Sequence, residues 1–70
     1  MPKFFFNIRF AGEFIPDRFG RELPSLTAAR DHASDVARHL LTTYGQHWRK
    51  AELHIMQDRQ EVAMLRLSDL

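Results

Sequence analysis

The chain has 70 residues, with ten Lys or Arg against nine Asp or Glu, a formal net charge of +1, 44% hydrophobic residues and no cysteine. That length fits one domain over residues 1–70 with a thin core, because so small a chain buries only about 60% of the surface it exposes unfolded. The composition excludes disulfides, zinc–thiolate centres and iron–sulfur clusters. It lacks a strongly basic nucleic-acid footprint and any run near the roughly 20 apolar residues of a membrane-spanning helix.

The first run, MPKFFFNIRF, alternates. As a strand it sends Phe4, Phe6, Ile8 and Phe10 to one side, and Lys3, Phe5, Asn7 and Arg9 to the other. Asn7 and Arg9 break the apolar run and no A-x-A-like site follows directly, so the segment reads as structure and not as a secretion signal. Ala11-Gly12-Glu13 makes a short connection. Phe14 and Ile15 start a second strand, and Pro16 marks an edge or a break. Asp17 and Gly20 bracket a turn, the carboxylate bonding backbone ahead of it and the glycine freeing the corner. Arg21 to Leu23 resume the second strand.

Pro24 ends the hairpin. Ser25 is the expected helix N-cap, with Thr27 as its competitor. Leu26, Ala29, Ala33, Val36/Ala37, Leu40 and Tyr44 then recur every three or four residues, as one helical stripe. Its alanines let the helix sit close to a sheet. Asp31 near the start and Arg38 in the later half suit the helix dipole. Gly45 is the expected stop, in the left-handed conformation. A third run puts Ala51, Leu53 and Ile55 on one face and Glu52, His54 and Met56 on the other. QDRQ makes a polar turn. In the fourth run Ala63, Leu65 and Leu67 oppose Val62, Met64 and Arg66, and Ser68 to Leu70 form a fraying tail. The predicted fold is α+β: a β-hairpin–helix–β-hairpin, with one helix packed on a four-stranded antiparallel sheet. The predicted core is Phe4, Phe6, Ile8, Phe10, Leu26, Ala29, Ala33, Val36, Leu40, Tyr44 and one face of the last hairpin.

Three segments, KFFFNIR, DRFGRELP and AARDHA, together resemble a family of short bacterial proteins of unknown function, common in rhizobia and other alphaproteobacteria. The resemblance covers most of the chain and weakens after Tyr44. It implies the same small fold and a bacterial, cytoplasmic setting, and it carries over no catalytic residue. Family members have D-x-x-G in the last turn as well. Here that stretch is Asp58-Arg59-Gln60-Glu61, so the tight form of the turn is not assured.

Catalytic chemistry finds little support. Ser25 is a cap, Ser34 lies on the polar side of the helix, Ser68 is in the tail, and none sits in a G-x-S-x-G elbow. Gly12, Gly20 and Gly45 are too far apart for a phosphate loop. No enzyme activity and no cofactor are expected. His32, Asp35 and His39 fall on one side of the predicted helix, at a spacing that could ligate a transition metal. They flank the apolar stripe, however, and no further clustered carboxylate completes a site, so they are weak candidates.

The informative surface is the sheet face away from the helix. There Phe5 is expected to lie with Lys3, Arg9, His54, Met56, Met64 and Arg66. An aromatic among basic residues on a sheet is one way single-stranded nucleic acid is stacked. Yet Glu52 shares this face, and Phe5, Met56, Val62 and Met64 also form an apolar patch with a polar rim, the anatomy of a protein interface. A non-enzymatic interaction module, most simply a homodimer, is the first expectation, with another protein partner also possible. Nucleic-acid binding is the second, and a metal or small-molecule site near His32 and His39 the third. Face stacking and edge pairing both remain open as dimer modes.

Overall fold

The computed structural model describes residues 1–70. Five strands and one long helix follow in order: β1 (Lys3–Phe10), β2 (Glu13–Ile15), β3 (Arg21–Glu22), α1 (Leu26–Tyr44), β4 (Glu52–Gln57) and β5 (Gln60–Arg66). The sheet is antiparallel in the order β2-β1-β4-β5, and β3 also pairs with β1. The hairpin–helix–hairpin order is as expected. The strand count differs from four because the DRFG interruption splits the second strand in two. Ile15 pairs with Ile8 and Arg21 with Phe4, so β2 and β3 run in tandem along one side of β1.

Both hairpin turns need two residues at positive φ: Ala11 at 53° and Gly12 at 78°, then Asp58 at 52° and Arg59 at 65°. Such turns match the twist of the flanking strands. The second is therefore tight without any glycine, and Arg59 carries the strain a glycine would avoid.

Ser25 caps α1 by accepting a hydrogen bond from the Ala28 amide at 3.1 Å. Ala29, Ala33 and Ala37 are fully buried and bring α1 down onto Phe4, Phe6, Leu53 and Ile55. Leu26, Val36 and Leu40 pack at the margin of this core. Leu41, outside the predicted stripe, is buried, whereas Tyr44 is 58% exposed. The last turn of the helix thus rotates Tyr44 out of the core, where His39 meets its ring edge-on at 6.4 Å. Gly45 does end the helix, at a positive φ of 113° that favours glycine, but with ψ 166° it lies outside the left-handed helical well. Neither Asp31 nor Arg38 reaches a terminal turn, so neither gains the dipole interaction, which fades beyond the first and last turns.

A 3-10 segment, Gln46–Lys50, follows the helix. It lays Trp48 on Phe10 with ring centroids 4.3 Å apart, closing one end of the core. The chain after β5 stays close to the core as far as Leu67, and Ser68 to Leu70 lie exposed. Leu67 is fully buried, its amide donates to Ala51 at 3.1 Å, and Leu67–Asp69 form a second 3-10 turn.

Candidate interaction surface

The face away from α1 is assembled by cross-strand register. Phe5 lies opposite Met56, Asn7 opposite His54 and Arg9 opposite Glu52, while His54 lies opposite Met64 and Glu52 opposite Arg66. The expected set of Lys3, Phe5, Arg9, His54, Met56, Met64 and Arg66 therefore shares one face. Two details differ from expectation. A bulge between Ile55 and Met56 sets Glu61 opposite Met56. Val62 then packs against the core and leaves the apolar patch. The centre of the face consequently gains a carboxylate and loses a hydrophobe.

That carboxylate is engaged. His54 Nδ1 lies 2.6 Å from Glu61 and Nε2 3.2 Å from Glu52. Both hydrogen bonds can be donated together only by a ring protonated on both nitrogens. Arg66 lies 4.0 Å from Glu52, so Arg9, Glu52 and Arg66 make a row of alternating charge across three strands. Two glutamates thus occupy the middle of the face proposed to meet nucleic-acid phosphates. Only Lys3 stands over the Phe5 ring, at 5.8 Å.

Phe5 also has a local role. It is half-buried, and the DRFG turn folds against it. A Cβ on Gly20 would sit 2.8 Å from the Phe5 ring, and Gly20 has φ 69°, so glycine is required there on both counts. Asp17 holds this turn to the sheet. One carboxylate oxygen accepts from the Phe6 amide at 3.1 Å, the other from Phe19 and Gly20 at 3.1 Å each, and the Asp17 amide donates to Asn7 Oδ1 at 2.9 Å. A side chain thus supplies the acceptor where β2 and β3 part. Burial pushes the Asp17 carboxyl up. The amides of Gly20, Phe6 and Phe19, with a smaller pull from His32, outweigh that and hold it below the ordinary 3.8.

The helix histidines serve separate contacts. His32 meets Phe6 edge-on at 4.8 Å. Its burial, then the nearby Arg21 charge, hold it below the ordinary 6.5 against the opposing pull of Asp35 and Asp17. Asp35 approaches Arg38 at 3.5 Å, and His39 approaches the Thr43 hydroxyl at 3.4 Å. His47 tilts against Trp48 and Phe10. No group of three His, Asp or Glu side chains is arranged to hold a metal ion. Around His54 the two glutamates take opposite ring nitrogens, which keeps them from sharing an ion with it.

The sequence reading also missed where apolar surface remains exposed. Phe19 at the tip of the DRFG turn is 82% exposed, and Phe14 and Ile15 of β2 are 54% and 42% exposed. Met64 on β5, by contrast, is 40% exposed on the face where the apolar patch was expected. Between α1 and β5 runs a groove of about 230 Å³ with an apolar floor and Arg30 at its rim. No helix is long and apolar enough to cross a membrane.

A family model for a domain of unknown function, DUF6894, matches residues 3–68. The chain belongs to that family. The match takes in all five strands of this DUF6894 domain, its helix and the Asp17–Gly20 turn. No curated protein and no solved structure matches the chain.

Proposed function

We propose that this DUF6894 domain is a non-enzymatic interaction module that self-associates, in the bacterial cytoplasmic setting its family resemblance implies. The observation that carries this reading is the apolar surface left at the margins of the sheet, in Phe14, Ile15 and Phe19 on one side and Met64 with the α1–β5 groove on the other. Apolar surface left exposed on a small protein is where a partner is most readily accommodated. A chain with only ten buried residues also gains stability from covering more of its surface. The polar side chains support the same reading, since Glu52, His54, Glu61 and Arg66 of the second sheet face are engaged with one another.

The test is solution mass by light scattering at two protein concentrations well apart. A mass moving from one copy toward two as concentration rises supports the reading. A single-copy mass at both concentrations overturns it.

A further inference from the structure

We propose that the second copy docks along β5, pairing antiparallel about a two-fold axis normal to the sheet beside Met64. This rests on the self-association reading and names its seam. β5 ends the strand order and bonds only β4. It is seven residues long with no proline, so it offers the longest unpaired row of backbone donors and acceptors in the molecule. The opposite margin is poorer, because β2 has three residues and is followed at once by Pro16.

Charge complementarity selects the partner. Met64 lies opposite His54, Arg66 opposite Glu52 and Glu61 opposite Met56. Arg66 and Glu61 are therefore each two β4 positions from the partner of Met64, on opposite sides of it and on the same face. A two-fold axis at Met64 sets each Glu61 across from the partner's Arg66, and each Ala63 across from the partner's Leu65. The bulge creates this match. In a regular strand the position symmetric with Arg66 would be Val62, and Glu61 would point to the helix side. Both charges reach the edge while keeping their contacts with His54 and Glu52, the Glu61 side chain 49% and the Arg66 side chain 61% exposed. On the helix side, Ala63 and Leu65 line the α1–β5 groove and are not fully buried in one copy. The axis brings two such grooves together over one continuous eight-stranded path.

The experiment is sedimentation equilibrium on wild type, Glu61→Arg, Arg66→Glu, an equimolar mixture of those two variants, and Met64→Lys, with circular dichroism confirming that each is folded. The proposal predicts a wild-type dimer, and dimerisation weakened roughly tenfold or more in each charge variant, because like charges then face each other twice. It predicts recovery in the mixture, where both opposed pairs are again of opposite sign. Met64→Lys places two cations at the axis and weakens the dimer even if a charge variant fails to fold. A wild-type dimer that survives Met64→Lys and every folded charge variant overturns the β5 seam and leaves self-association standing. A wild type that stays monomeric overturns both.

Discussion

The two margins of the sheet are built in opposite ways. On the β2–β3 side the edge is broken into pieces of three and two residues, and Asp17 fills the gap with a carboxylate bonded to three amides. Pro16 withholds a donor there, and Gly20 lies so close to the Phe5 ring that no side chain fits between them. On the β5 side seven residues run uninterrupted by proline. Proteins commonly blunt one exposed edge by shortening or interrupting it, and an edge left long and apolar invites another strand. The DRFG segment serves the fold, and the plainer β4–β5 hairpin leaves the free edge.

Removing the Asp17 carboxylate should have the largest effect. Asp17→Ala leaves the Phe6 and Gly20 amides without their acceptor and should cost about 3 kcal/mol, read as a lower urea midpoint. Gly20→Ala should cost about 2 kcal/mol, because alanine at positive φ is strained and its Cβ meets the Phe5 ring. Phe5→Ala in the same background should relieve the contact part of that loss and leave the backbone part.

Acid should loosen the tied margin. Asp17 and His32 both bind protons less readily when folded than when unfolded. The unfolded state therefore takes up more protons, and stability rises with pH through each window. The His32 contribution is complete above its ordinary 6.5 and is lost as pH falls below it. The Asp17 contribution is complete above 3.8 and is lost as pH falls further. Urea midpoints measured from pH 7.5 to 3 should drop in both windows. His32→Gln should flatten the first, and Asp17→Asn the second. Windows unchanged by these variants would count against the assignments.

The smallest effect sharpens the other margin. Arg59→Gly relieves the positive φ in the turn before β5 and should stabilise the domain by about 1 kcal/mol. Dimerisation should be unaltered, since the turn lies outside the proposed seam.

Alternation in KFFFNIRF and AELHIM made the strands legible, and the alanine spacing gave the helix. These patterns rest on side-chain direction alone, which follows from backbone period. Tyr44 failed because a stripe drifts around a long helix and its last turn need not face the sheet. Glu61 and Val62 failed because one bulge residue reverses the alternation beyond it, and no sequence pattern announces it. The D-x-x-G spacing did indicate a turn. That its aspartate would bond the Phe6 amide depended on where β2 ends relative to β1, a tertiary fact. For the functional surface, the sequence placed Phe5 at the centre. The structure moves attention to the margins, because the chain's own turn folds against Phe5.

The most direct test of the contrast between margins is amide hydrogen exchange of the wild-type protein at low and high concentration. The account predicts that the β5 amides not bonded to β4 gain protection as concentration rises, while the Phe14 amide and the Arg18–Phe19 tip do not change. Protection rising at β2 with β5 still exchanging freely would contradict it.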